Sequence, residues 1–354
     1  MPEKVLMKGN EALAQAAIGA GCRHFFGYPI TPQTEVSAYM AKRMPKIGGT
    51  YLQAESEVAA INMVYGAACA GVRAMTSSSS PGISLKSEGI SYIAACDLPC
   101  LIVNVQRGGP GLGGIQPSQS DYWQATRAAG HGDFHLLVFA PDSVQEMVDH
   151  VFMAFDRSDH YRVPAMILSD GMLGQMMEPV LVQEPQKADL PPKTWATNGH
   201  GGKRPHNIIN SLYLQPEELE ELNFERFKKY DTIIANEQRS ERFHIEDADL
   251  VVTAFGASAR VAKSAVMAAR AKGLNVGLLR PITLWPFPTD AFAEAAKTAK
   301  AFLSVEMNMG QMADDVRLAI SCSRPVHFYG RTGGVIPTPA QVLAEIERIL
   351  GGDR

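Results

Sequence analysis

The chain has 354 residues, 46% of them hydrophobic, with 31 glycines, which is enough for two cores of tightly packed α/β layers. A net charge of −4 with 20% charged residues leaves no basic surface for nucleic acid. No apolar run approaches the ~18 residues of a membrane span, and no hydrophobic leader follows Met1-Pro2-Glu3-Lys4, so a cytoplasmic protein is expected.

Apolar periodicity predicts a helix over Ala12–Ala20 and a short strand at His24–Phe26 that runs into the turn Tyr28–Pro32. Helix Gln33–Arg43, strand Tyr51–Gln53, helix Ser56–Ala70, strand Arg73–Ser77, helix Ile83–Ala95 and strand Cys100–Val105 follow. Leu136–Phe139, Ser143–Phe155 and Ala165–Leu168 complete a first unit, residues 1–182. Strands that alternate with helices in this way predict a mostly parallel sheet covered on both faces.

Composition changes over residues 183–246, where Pro185, Pro191, Pro192 and Pro205 mix with Gly199, Gly201 and Gly202 ahead of a charged stretch from Glu217 to Lys229. This segment reads either as a flexible linker with one exposed helix or as an ordered arm wrapped around a partner chain. A second, smaller α/β unit of about four strands occupies residues 247–354. Its predicted elements are Leu250–Phe255, Ala259–Lys272, Val276–Leu279, Asp290–Lys300, Phe302–Glu306, Met312–Ile320, Val326–Tyr329 and Pro339–Leu350.

The chemistry-bearing residues concentrate in the first unit. Glu57 opens a predicted helix, where an acid is commonly just a favourable charge on the macrodipole. Behind it, however, stand Ala59, Ala60, Gly66, Ala67, Ala68 and Gly71, small side chains that let a ring lie close. A carboxyl group fixed at such a junction can hold a proton against the ring nitrogen of an aminopyrimidine cofactor. Glu55 competes for the role but lies on the preceding strand end. Taken with Tyr28, Pro29, Ile30, Thr31 and Pro32, Glu57 reads as half of a thiamine diphosphate site in which Thr31 stands ready for substrate.

Arg107 begins the loop Arg107-Gly108-Gly109-Pro110-Gly111-Leu112-Gly113-Gly114 after a strand. The loop matches neither dinucleotide nor P-loop spacing, and Arg107 suits a carboxylate, to which a guanidinium offers two parallel donors. Thr76 to Gly82 reads as a hydroxyl-rich helix cap that can also line the cofactor. Met172, Met176 and Met177 read as gap fillers. Neither Cys96 with Cys100 nor His131 with His135 has the further ligands of a metal site. The five cysteines, odd in number and set in apolar runs, are expected to be reduced thiols.

These residues resemble a known family, the alpha (pyrimidine-domain) subunits of 2-oxoacid:ferredoxin oxidoreductases, and within it the 2-oxoisovalerate and 2-oxoglutarate types. The resemblance runs through Lys8-Gly9-Asn10-Glu11-Ala12, Tyr28–Pro32, Glu55-Ser56-Glu57-Val58-Ala59-Ala60, Ser79-Ser80-Pro81-Gly82, Gln106–Gly111, Asp170-Gly171-Met172 and Arg280–Pro286. It implies that Glu57 meets the cofactor pyrimidine, as does the spacing of nine residues from Glu57 to Gly66, and that Thr31 and Arg107 contact the 2-oxoacid. It also implies a pyrimidine-binding domain followed by a transketolase C-terminal-like domain.

The reaction so implied is thiamine-dependent oxidative decarboxylation of a 2-oxoacid with coenzyme A, giving acyl-CoA and carbon dioxide and passing electrons through iron–sulfur clusters to ferredoxin. The family's Gly-Asp-Gly magnesium motif is missing from this sequence. A beta subunit is therefore expected to bring the diphosphate site, magnesium and an iron–sulfur cluster, with gamma and ferredoxin-like delta subunits as further partners. Two rivals are a non-catalytic scaffold subunit, disfavoured by the joint presence of Thr31, Glu57 and Arg107, and a stand-alone nucleotide-binding protein, disfavoured by the glycine spacing.

Overall fold

The computed structural model describes residues 4–127, 129–182 and 190–351. Gln183 and Pro185, at the start of the Pro/Gly-rich segment, lie outside these. Strand β1 (Val5–Lys8) leads into α1 (Gly9–Gly19), β2 (His24–Gly27), α2 (Thr34–Arg43) and β3 (Thr50–Gln53). Then come α3 (Glu57–Cys69), β4 (Ala74–Ser78), α4 (Ser80–Ala95) and β5 (Leu101–Gln106). A long loop precedes α5 (Tyr122–Thr126), β6 (Leu137–Phe139), α6 (Val144–Tyr161), β7 (Ala165–Asp170), α7 (Gly171–Gln175) and β8 (Met177–Val180). Helix α8 (Pro216–Glu237) and β9 (Ser240–Phe243) lead to β10 (Leu250–Thr253), α9 (Gly256–Ala271), β11 (Val276–Pro281) and β12 (Thr283–Trp285). The chain closes with α10 (Thr289–Ala295), β13 (Ala301–Glu306), α11 (Gln311–Ala319), β14 (Val326–Gly330) and α12 (Pro339–Gly351).

The larger sheet has the order β12-β6-β7-β5-β4-β2-β3, parallel throughout except for β12. Strands β4, β5 and β7 are buried along their whole length, as expected of central strands covered by helices on both faces. The smaller sheet runs β14-β13-β10-β11-β9, with β9 antiparallel. The α/β class is as expected, and the second sheet has five strands rather than about four because β9 joins its edge. Strands β1 and β8 form a separate antiparallel pair.

The two sheets exchange their edge strands. Strand β9 precedes the second unit yet pairs with β11, while β12 lies within the second unit yet pairs with β6. Gln119 joins the layers: its Nε2 donates to the Phe255 carbonyl at 2.6 Å, and its Oε1 accepts from Ser258 and from the Met307 amide. Arg280 on β11 is 2% exposed and reaches Glu146 on α6 through two nitrogens, at 2.8 and 2.6 Å, and Glu241 on β9 at 2.7 Å.

Parts of residues 190–246 lie against their own chain, while Ile208, Leu212 and Leu214 stay exposed. Trp195 stacks under Arg162, and Gly71 is so close to Ala196 that an added methyl would stand 2.6 Å from it. Helix α8 is not exposed all round: Arg226, Tyr230, Ile233 and Glu237 are buried, and Tyr230 packs edge-on against Trp285 and His135. Among the described residues no helix is long and apolar enough to cross a membrane.

Candidate active site

Four neighbouring parallel strands, β3, β2, β4 and β5, end on one edge of the larger sheet. Ligands of open α/β sheets bind outside such carboxyl ends. The segments that leave them carry Glu57, Tyr28–Pro32, Ser78–Gly82 and Arg107 respectively, so one sheet edge gathers residues spread over eighty positions of sequence.

Glu57 is the first residue of α3. Ser56 caps that helix, its side-chain oxygen accepting from the Ala59 amide at 3.2 Å. The Glu57 side chain is therefore released from capping and turns inward, 6% exposed. It rests against α4 at Gly82, where an added methyl would stand 2.8 Å from Glu57 Oε1 and 2.1 Å from Ser78 Oγ. Only glycine leaves room for both. Further along the two helices, Gly89 performs the same service for Ile61, 2.5 Å from an added methyl.

The turn after β2 is held from two sides. Asn10 donates to the Pro32 carbonyl at 2.9 Å and to Glu35 at 2.9 Å, while the Ser77 hydroxyl donates to Gln33 at 2.5 Å. Thr31 is exposed and Tyr28 is 37% exposed, with Pro29 exposed and Ile30 half-buried between them. Arg107 is buried and lies against this turn. Its Nη1 donates to the Thr31 carbonyl at 3.0 Å and its Nη2 to the Leu112 carbonyl at 3.1 Å.

The glycine-rich loop opens no helix. It folds back on itself, the Gly108 amide donating to Gln116 and the Gly114 amide to Gly108. Gly113, at φ +62°, lies so close to the Gly108 carbonyl that no side chain fits. Two cavities flank the loop. One of about 460 Å³ is lined by Thr31, Pro32, Glu35, Ile115, Met172 and Ile336. The other, of about 630 Å³, is lined by Ser80, Pro81, Gly109, Asp121, Asn308 and Met309.

The serine run does not cap α4 as the sequence leads one to expect. Ser79, at the cap position, makes no capping bond, and the Ser80 amide donates instead to Asn104 Oδ1 at 3.1 Å. Asp121 accepts from the Ser80 hydroxyl at 2.6 Å and from Asn104 at 2.9 Å; burial pushes its carboxyl up, against those bonds. Ser78 Oγ, Ser79 Oγ, Lys86 Nζ and Arg107 Nε are all buried without a hydrogen-bond partner. Buried polar groups are ordinarily bonded, so such a concentration is a feature of the site.

The structure brings Thr31 and Arg107 into direct contact and puts Glu57 on the same sheet edge. Sequence reasoning missed Lys86, Asn104 and Asp121. The last two had no local signal, whereas a lysine inside an apolar helix face was visible in Ile83–Ala95. His131 and His135 are not brought together: His135 stacks on Trp285 and His131 packs against Tyr92. The Cys96 thiol lies 3.1 Å from the Tyr65 hydroxyl.

Comparisons with known proteins agree with this layout. A family model described as pyruvate flavodoxin/ferredoxin oxidoreductase, thiamine diphosphate-binding, matches residues 15–241, and one described as pyruvate:ferredoxin oxidoreductase core domain II matches 248–342. Ketoisovalerate oxidoreductase subunit VorB of Methanothermobacter thermautotrophicus is 49% identical over 346 residues, 98% of either chain. 2-Oxoglutarate synthase subunit KorA of Methanocaldococcus jannaschii is 36% identical, over 98% of this chain and 99% of its own. Among solved structures, 2-oxoglutarate:ferredoxin oxidoreductase from Magnetococcus marinus superposes with a TM-score of 0.90 at 29% identity over 98% of this chain; the chain spans 65% of that one. A split-gene transketolase shares the fold, with a TM-score of 0.61 at 15% identity. By sequence and by fold, the chain belongs to the family of 2-oxoacid:ferredoxin oxidoreductase subunits and carries that family's thiamine diphosphate-binding domain.

Proposed function

We propose that this chain supplies the pyrimidine half of a thiamine diphosphate site in a cytoplasmic heteromeric enzyme that oxidatively decarboxylates a branched-chain 2-oxoacid, 2-oxoisovalerate foremost. The observation that carries the reading is the buried Glu57 carboxyl against the bare Cα of Gly82, beside the unbonded Ser78 hydroxyl. The missing Cβ lets the Glu57 carboxyl and the Ser78 hydroxyl come together at the sheet edge, and these groups can partner the nitrogens at the rim of a flat ring laid against them. Tyr28, Pro29 and Ile30 would wall the ring on its open side.

Thiamine diphosphate, when bound, supplies a nucleophilic carbon and an electron sink for decarboxylation. Glu57 holds a proton between its carboxyl and the ring nitrogen. Arg107 and Thr31 orient the 2-oxoacid by its carboxylate, the Arg107 Nε and the free hydrogens of its Nη atoms being the available donors.

Apolar side chains stay exposed around the site, including Leu52, Val58, Leu85, Leu112 and Ile115, the fourth at 84%. Exposed apolar clusters mark interaction surfaces. This supports a beta subunit that closes the site and holds the diphosphate, the magnesium and an iron–sulfur cluster, with gamma and delta subunits, coenzyme A and ferredoxin as the other partners.

The cavity beside Thr31 favours a branched aliphatic side chain. Pro32, Ile115, Met172 and Ile336 line it. Burial works against ionisation of Glu35, but hydrogen bonds from Asn10, Gln175 and Lys8 hold its carboxyl below the usual range. A second carboxylate, as in 2-oxoglutarate, would meet that charge. Assay of the reconstituted complex against a panel of 2-oxoacids tests the proposal: 2-oxoisovalerate should lead in kcat/KM, and preference for 2-oxoglutarate would overturn the assignment.

A further inference from the structure

Lys86 is fully buried, and its Nζ has no hydrogen-bond partner. It lies four residues after Gly82, hence one turn along the same face of α4. Helical side chains lean back toward the N-terminus, so the lysine stem runs back toward Gly82 and the Glu57 carboxyl packed there. Glu57 arrives from α3, its Oε1 2.8 Å from where a Gly82 methyl would stand.

The other charged groups near α4 are engaged elsewhere. Asp121 is held by Ser80 and Asn104, Arg107 by the Thr31 and Leu112 carbonyls, and Glu88 accepts from Tyr92 on the outer face. From α3, Tyr65 lies against the Cys96 thiol. Glu57 is the charge that acts on Lys86: burial pushes the ammonium down to about 8, and the Glu57 carboxylate pulls the other way.

We propose that Lys86 is a positioning residue that acts through Glu57, its ammonium setting how readily the Glu57 carboxyl passes its proton to the ring nitrogen of the cofactor. The inference rests on the reading of Glu57 given above. When the proton moves from the carboxyl to the ring, the carboxylate left behind is stabilised by the neighbouring positive charge, and the proton returns by the same path. No other bond changes. Above pH 8 the lysine becomes neutral and that stabilisation fades.

The test uses the assembled complex. Lys86→Met keeps the volume and removes the charge. We expect kcat to fall roughly ten- to a hundredfold, part of the ~100- to 10,000-fold weight of the acid–base step it serves, with KM for the 2-oxoacid within about twofold. The alkaline limb of the wild-type kcat profile near pH 8 should vanish. Wild-type kcat with an unchanged pH profile in Lys86→Met overturns the proposal.

A second readout needs no turnover and no variant. Calorimetry of thiamine diphosphate binding, in two buffers of different ionisation heat, counts the protons exchanged. For the wild-type complex the count should change between pH 7 and 9, and a constant count overturns the proposal. Glu57→Gln separates the two levels of the argument. If Glu57 is the proton-holding group, Lys86→Met adds nothing in the Glu57→Gln background. An active Glu57→Gln enzyme removes the reading of Glu57 itself, whatever Lys86 does.

Discussion

Arg107 Nη1 donates to the carbonyl of Thr31 at 3.0 Å, so the two residues proposed to receive the 2-oxoacid hold each other in place before any substrate arrives. The same guanidinium ties down the Leu112 carbonyl. Arg107→Lys keeps the charge but cannot span both carbonyls and a carboxylate with one ammonium group. Loss of a charge-assisted contact is worth roughly 1.5–3 kcal/mol, or about one to two orders of magnitude in kcat/KM. The fall should be similar for every 2-oxoacid in a steady-state panel. A change of preference among side chains at undiminished best activity would reassign Arg107 from carboxylate anchor to pocket wall.

Glu57→Gln preserves volume and removes the proton-holding carboxyl. Turnover of the complex should fall by ~100- to 10,000-fold, the usual weight of a general acid–base group. Assembly, followed by size-exclusion chromatography, should be unchanged. Near-normal turnover would move attention to Glu55.

Gly82→Ala places a methyl 2.1 Å from Ser78 Oγ and 2.8 Å from Glu57 Oε1. One of the two side chains has to leave, and overpacking of this kind costs about 1–3 kcal/mol. Thermal unfolding should show the destabilisation, and calorimetry should show weaker cofactor binding by the assembled complex.

The chain by itself should bind thiamine diphosphate poorly, because its sheet edge offers groups for a ring but none of the magnesium motif. Tight magnesium-dependent binding by the lone chain in a calorimeter would contradict the shared site.

Arg280 lies 2% exposed among Glu146, Glu241 and Asp142. Burial opposes ionisation of Glu146, yet two hydrogen bonds from Arg280 bring its carboxyl down to about 2. A folded-state value below the ordinary one means that the pair stabilises the fold above about pH 4.5 and loses that contribution as pH falls toward 2. Arg280→Met leaves half-buried carboxylates facing one another without their buried partner and should destabilise by up to roughly 3–5 kcal/mol at neutral pH. Burial pushes the Asp142 carboxyl up and Arg280 holds it down, so without Arg280 it takes a proton more readily and the deficit should narrow as the melt is repeated at lower pH, toward pH 5.

The sequence made the central strands and the Glu57 helix readable because burial on both faces leaves a long apolar record, as in Leu101–Gln106 and Ala165–Asp170. The edge strands left no such record. Met177-Glu178-Pro179-Val180 and Ser240-Glu241-Arg242-Phe243 are four residues each, the first interrupted by charge and proline and the second by two adjacent charges, so only their partners make them strands. Lys86 shows a similar limit in the site. A lysine in a helix ordinarily points to water; the apolar face of Ile83–Ala95 marked this one as inward, but that α3 lies across α4 and brings Glu57 toward it is a tertiary fact with no local trace. Asn104 taking over the cap that the serine run advertises is another such fact, since the two partners are 24 residues apart.

The exchange of edge strands bears on how this polypeptide tolerates being broken. A gene split between residues 246 and 247 would give two products, each carrying a strand that belongs to the other's sheet: β9 on the first, β12 on the second. Made separately, one product would show the bare rim of β6 and the other that of β11, the kind of unpaired backbone that recruits stray chains into aggregates. Made together, they would have to interlock before either was complete. Inheritance of the two sequence units as one uninterrupted reading frame avoids that hazard.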